Sequence, residues 1–206
     1  MFVITADQRG STHAGDHVDR LLTSLETWTT TWKAHVALPP ERTVGDEIQV
    51  VITSPEATVD LALRLMREKE WSVGVGVGTV HLPLRDTARA SSGPAFVRAR
   101  RAVERARGRG EPVPLVVAAH DSDAEEHLTA LMQLLAAVVR RRTRTGWEVS
   151  DLLVDGATQR DVAERLGIST QAVSQRVASA MLDEERRARP VAVALLARAE
   201  NAGETA

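Results

Sequence analysis

Cysteine and tyrosine are both missing from the 206-residue chain, and aromatic residues make up only 3% of it. Without cysteine there are no disulfides, no thiolate metal ligands and no thiol nucleophile. The same lack fits a reducing compartment. So few aromatics leave no platform on which single-stranded bases would stack. No apolar run approaches the roughly 18 residues that a membrane span needs. The opening "MFVITADQRG" also lacks a basic segment followed by a long apolar one. The expectation is a cytoplasmic protein with no membrane partner. Neither sign of charge dominates, with 26 basic against 28 acidic residues. Whole-molecule electrostatics therefore neither favour nor oppose nucleic acid, and only local clustering can decide. A phosphate-binding Walker loop and a Gly-x-Ser-x-Gly nucleophile elbow are absent as well.

What is present divides into two halves. Residues 1–118 alternate strand and helix patterns in the order β-α-β-β-α-β-α-β. "FVITA" is a β-branched apolar run that reads as a buried strand. Val18, Leu21, Leu22, Leu25 and Trp28 keep helical spacing. "HVALPPERTVGDEIQVVIT" reads as a hairpin broken by Pro39 and Pro40, which cannot donate to a central ladder. Pro55 opens a helix, and a further helix is predicted from about Pro94 to Arg107. In "VGVGVGTV" valine alternates with glycine, so one strand face lacks side chains and a helix can sit close against it. "VPLVVA" closes the half as a last strand.

Beyond a boundary expected at residues 119–123, every segment reads as helix. The fold class expected is α+β: a ferredoxin-like, palm-like sheet over 1–118, then an all-α domain over 124–206. The helix at 124–143 is apolar around much of its circumference and ends in Arg140, Arg141, Arg142 and Arg144. It packs between the halves or forms a dimer seam. The arginine run is either a phosphate patch or a solvated helix end favoured by the macrodipole. A last helix after about residue 183 is expected to be interrupted by Pro190.

Within this half, "GATQRDVAERLGISTQAVSQRVASAMLDEE" has the spacing of a helix-turn-helix over about 157–183. Thr158 can cap a first helix, Gly167 supplies a left-handed turn, and Ile168 plugs the corner. Ser169 caps a second helix whose Val173 and Val177 recur at i, i+4. At about 100° per residue, Gln171, Ser174 and Gln175 then face outward, with Thr170 at the exposed N-terminal end. Glutamine can pair bidentately with adenine, and hydroxyls serve bases or phosphates. Arg176 lies toward the flank, suited to a phosphate, and Thr158 and Gln159 open the first helix where its amides can meet the DNA backbone. The partner implied is duplex DNA, bound by a homodimer on paired half-sites. Two amphipathic helices joined at a glycine also occur in all-α domains of other function.

The first half holds a second candidate site. Asp7 follows the first strand, and Asp46 lies in the hairpin "RTVGDEI". Adjacent strands would bring these carboxylates together, and a divalent cation relieves such repulsion. A polar hairpin turn explains the same residues. His13 and His17 stand four apart, but no acid accompanies them in a metalloprotease pattern.

The hairpin is similar to the GGDEF motif of diguanylate cyclases, and "DQRGS" resembles the first-strand motif of class III nucleotide cyclases, both palm folds. The strand "VGVGVGTV" and the segment "GPAFVRARRA" extend that likeness across most of residues 1–118. The resemblance implies Asp7, Asp46 and Glu47 as metal ligands, Arg42 as a basic cofactor-binding residue, Arg101 at the place of a transition-state arginine, and Mg²⁺ with a nucleotide as cofactor or ligand. Val44 stands where the motif has its first glycine, and Pro94 and Val97 stand where an aspartate and an asparagine belong. Over its full length the chain most resembles the SatD-like family, through "ITADQRGS", "ERTVGDEIQ" and "GPAFVRAR". That family joins such an N-terminal region to a C-terminal helix-turn-helix. The expected function is DNA-binding transcriptional regulation with a palm-like sensory or dimerisation half. The alternative is a metal-dependent nucleotidyl cyclase, or nucleotide-binding enzyme, fused to a DNA-binding module.

Overall fold

The computed structural model describes residues 1–10 and 15–202, so Ser11 and His13 lie outside the described residues. The first strand, β1 (Phe2–Gln8), is buried along its whole length, as its β-branched composition predicts. It is the middle strand of five. β3 (Glu47–Ile52) and β4 (Trp71–Val77) flank it, both antiparallel. β2 (Val36–Arg42) pairs with β3 at one edge, and β5 (Leu115–Ala118) runs parallel to β4 at the other. The order is β2-β3-β1-β4-β5, a mixed sheet. The register of β2 shifts on both sides of Leu38, where Pro39 and Pro40 follow. An edge position tolerates these prolines because their missing N–H groups face away from a ladder.

Eight helices cover this sheet and extend beyond it among the described residues: α1 (Val18–Thr31), α2 (Pro55–Arg67), α3 (Pro94–Arg107), α4 (Ser122–Arg141), α5 (Arg144–Val154), α6 (Gln159–Leu166), α7 (Thr170–Ser179) and α8 (Leu182–Ala202). Alternation along the strands sends Phe2, Ile4, Ile48, Val50, Val73 and Val75 to one face, where they share a core with α1, α2, α4 and α8. Val3 and Val51 face the other way and meet Ala95 and Ala99 of α3. The glycines of β4 explain how close α3 lies. A methyl group on Gly74 would sit 2.6 Å from the Ala99 carbonyl oxygen and overlap the backbone nitrogen of Val103. On Gly76 it would overlap the backbone of Ala95 and Ala99.

The core does not stop at the boundary expected near residues 119–123. Leu128, Met132, Leu135, Ala136 and Val139 of α4 are buried in the same cluster as the sheet, with Ala192, Leu196 and Ala199 of α8. Of the two roles open to α4, packing between the halves is the one observed, and Leu134 is its exposed large apolar residue. Polar side chains of α4 also cover the outer edge of β5. The Thr129 hydroxyl donates to the Val117 carbonyl and accepts from the Val117 amide, each at 3.1 Å, and Gln133 Nε2 donates to the Leu115 carbonyl at 3.0 Å. Among the helices after β5, α5, α6 and α7 build a small core apart from that cluster, from Val149, Val162, Ala163, Val173 and Val177.

Two further expectations are corrected. Pro190 does not interrupt the last helix, for α8 runs through it without a break. Pro190 is exposed, and buried contacts at Glu185, Ala192 and Leu196 hold the helix on both sides of it, so water can take up the carbonyl the ring frees. The arginine run is not one surface. Arg142 is 99% excluded from solvent at its side chain, whereas Arg144 is 90% exposed and lies 3.6 Å from Glu148. Among the described residues no helix is long and apolar enough to cross a membrane.

Candidate functional site

Three polar residues lie in a row across the sheet. Glu47, Asp7 and Ser72 are direct partners in the register of β3, β1 and β4, so all three point to the α3 face at one end of the sheet. Gly45, with φ +62°, turns the chain ahead of β3. The Asp46 carbonyl accepts from the Gln8 amide at 3.1 Å, fastening the hairpin turn to the end of β1. Asp7, Asp46 and Glu47 thus come close enough to act on each other. Burial pushes the Asp7 carboxyl above its ordinary 3.8, Arg107 opposes that, and the charges of Asp46 and Glu47 add to it.

The acids are not left to a cation. Arg107 lies 3.1 Å from Asp7, and Arg100 donates to Glu47 at 2.5 Å, both reaching down from α3. The Thr43 hydroxyl also donates to Glu47, at 2.8 Å. Among the described residues no group of three or more His, Asp or Glu side chains is arranged to hold a metal ion. As they stand, with two of three carboxylates neutralised, these residues do not fit Mg²⁺. Arg42 is likewise engaged. Its guanidinium donates to both oxygens of Asp16 at 2.8 Å, which holds that carboxyl below the usual range. Arg101 donates to Glu125. His17 Nδ1 lies 3.0 Å from Glu70, an ordinary ion-pair or hydrogen-bond contact rather than a metal pair. Ser72 is the exception to this saturation: its hydroxyl is buried and has no hydrogen-bond partner.

The second candidate is the pair α6 and α7. Thr158 caps α6 as expected, and does so reciprocally. Its Oγ1 accepts from the Asp161 amide at 3.2 Å while its own amide donates to the Asp161 carboxylate at 2.8 Å. Gly167 ends the helix in the left-handed region, φ +64°, and the Ile168 amide donates back to the Ala163 carbonyl at 3.1 Å. Ser169 caps α7, accepting from the Ala172 amide at 3.1 Å. Val173 and Val177 are buried against Val149 of α5 and against Val162 and Ala163 of α6. The opposite face carries Gln171, Ser174 and Gln175, all exposed, with Thr170 exposed at its start.

Thr158 and Gln159 are exposed at the start of α6. Gln159 Oε1 accepts from the Ser174 hydroxyl at 2.8 Å, which ties the two helices together beside the outward amides. Arg176 is only partly exposed and is held 3.4 Å from Glu148 of α5. The side chains that pattern reading passed over are those linking α5–α7 to the rest. Arg142 pairs with buried Glu185 and donates to the Ala180 carbonyl at 3.1 Å. Its guanidinium lies 4.3 Å from the Trp147 ring centre, with Arg67 at 3.9 Å. Arg67 also reaches both oxygens of Asp151 at 2.7 Å. An arginine inside a charge run gives no sign of being buried, so nothing in the sequence pattern singled it out. No protein-family model, no curated protein and no solved structure matches the chain.

Proposed function

We propose that the protein is a DNA-binding transcriptional regulator in which α6 and α7 form a helix-turn-helix and α7 enters the major groove of duplex DNA. The observation that carries this reading is the division of α7 into two faces. Val173 and Val177 are held in the small core, and Gln171 and Gln175 present their amides to solvent one turn apart. Had those amides been buried against their own protein, the reading would have nothing to read with. Thr170 and Ser174 supply hydroxyls beside them, and the N-terminal ends of α6 and α7 suit phosphate contacts. The sheet half, with its β-α-β-β-α-β-α-β order, is proposed as a palm-like module that senses a ligand or pairs subunits, placing two copies of α7 on paired half-sites.

Replacement of Gln171 and Gln175 by alanine is expected to cost about 1–3 kcal/mol for each base pairing lost on a selected site. Affinity for random DNA should stay nearly constant. Electrophoretic shifts on selected and scrambled duplexes measure both, and equal losses on the two would remove base reading from these side chains.

A second reading is favoured by Ser72 and Asp7. A buried hydroxyl without a partner, paired in register with a carboxyl that burial pushes above its ordinary range, is an arrangement that ligand-binding centres use. On this reading the sheet half is a nucleotidyl cyclase or nucleotide-binding enzyme and the helices are its address. Asp46→Ala should then abolish nucleotide binding, followed by calorimetry, while leaving the DNA shift intact. If neither changes, the acids are turn residues and the sheet is scaffold.

A further inference from the structure

A cleft of about 880 Å³ opens between the sheet half and the α5–α7 unit, within the size range of small-ligand sites. Its walls come from both sides. α2 contributes Arg64 and Arg67, α5 contributes Trp147 and Asp151, and the start of α6 contributes Thr158 and Gln159. α8 closes it with Glu185, Arg186 and Arg189, and Arg142 forms part of the wall with them. This concavity mixes apolar and charged side chains and has a buried ion pair in its side, Arg142 with Glu185. Apolar packing of the same volume would stabilise a fold at least as well, so stability alone does not account for charge in this place.

Five arginines line the cleft against four acids, and their pairing is uneven. Arg67 is bound to Asp151, and Arg189 to Asp60 and Glu185. Arg64, exposed on α2, donates to the Ser24 carbonyl at 3.1 Å and meets no acid among the described residues. Arg186, 77% exposed on α8, pairs only with Asp183 of its own turn, a weak surface contact. One wall therefore offers Arg64 and another offers Arg186, both guanidinium groups suited to bidentate oxygen anions. Asp155 lines the cleft with no ion pair among the described residues and repels any anionic guest. A doubly charged guest can set one anionic group on each of these two guanidinium groups.

We propose that this cleft binds a small organic dianion, a phosphate monoester or a dicarboxylate, held between Arg64 and Arg186. Its occupant touches the sheet half through α2 and the α6–α7 pair through Gln159, which itself holds Ser174. Binding favours one seating of the reading helices over others, by as much as the ligand's affinity differs between those seatings. The coupling, though not the binding, rests on the DNA-reading function proposed above.

Calorimetric titration of the full chain with glycerol 3-phosphate, with succinate and with uncharged glycerol tests the binding without any DNA. Saturable heat is expected from one or both dianions and none from glycerol, and the two dianions tell phosphate from carboxylate preference. Arg64→Ala combined with Arg186→Ala removes two exposed side chains, so the melting curve without ligand should hold while affinity falls about tenfold or more. No saturable binding of either dianion, equal binding of glycerol, or equal affinity in the double variant would each overturn the site. A gel shift on selected DNA with and without the bound dianion then tests the coupling. An unchanged shift with binding intact overturns the coupling alone. Absence of any DNA shift counts against the DNA reading and leaves the calorimetric result standing.

Discussion

Gly74 and Gly76 show how much a single hydrogen atom in place of a side chain can decide. Both face α3 from β4, and the helix backbone occupies the space a Cβ would need. Alternating glycine had two meanings in the sequence, a strand of the palm families and a seat for a close helix, and the second is what the geometry displays. Gly76→Ala is expected to destabilise the fold by about 3 kcal/mol or more, since backbone rather than a flexible side chain must give way. Urea denaturation measures it, and a loss below about 0.5 kcal/mol would mean that α3 slides outward freely. The arginines show the opposite case. Arg42 and Arg101, which the cyclase resemblance would set beside a nucleotide, are each turned to an acid of this chain, and so are Arg100 and Arg107. Residue type and order do not reveal such partners, because Arg107 and Asp7 meet only after the sheet and α3 have packed.

At the level of elements, legibility followed locality. The order of strands and helices through β5 was readable from periods of two and three to four residues. The caps at Thr158 and Ser169 and the turn at Gly167 were readable because their chemistry spans three to five residues. α5 escaped separate notice, since its start at Thr143 falls inside the arginine run and its buried face is completed by α7. The α5–α7 unit also bears on how DNA would be held. Residues 144–179 carry four arginines against five acids. Arg144 and Arg176 lie near Glu148, and Arg160 near Glu164. Phosphate neutralisation by these helices would therefore be slight, and the proposed recognition would have to draw on amides, hydroxyls and helix N-termini. The logarithm of affinity for the selected duplex should fall with the logarithm of salt at a slope of about −1 to −2 per bound copy. Fluorescence anisotropy across a salt series gives this slope. A value steeper than about −5 would place a large phosphate-binding surface outside α5–α7.

For the molecule as a whole, the decisive feature is that the helices after β5 are not all gathered in one core of their own. α4 and α8 fill the layer over the sheet beside α1 and α2, while α5–α7 project from between them. The buried Arg142 and Glu185 join the end of α4 to α8 underneath that projection, and Arg67 joins α2 to α5 across the cleft. A change in the sheet half would therefore reach α6 and α7 through packed side chains rather than along a linker. The same arrangement fixes how the chain unfolds. Residues 1–118 alone would expose the apolar surfaces of α2 and the sheet that Leu128, Met132, Leu135 and Leu196 now cover, and burial of such side chains contributes about 1.5–3 kcal/mol each. Separated, each half would lose its share of the common cluster. Thermal unfolding is thus expected as a single transition, with circular dichroism at the helix band and tryptophan fluorescence giving one midpoint. Trp28 and Trp71 report on the sheet layer, and Trp147 reports on α5. Two midpoints separated by several degrees, or a stable folded fragment of residues 1–118, would show that the halves are independent and that α4 and α8 serve only as a tether.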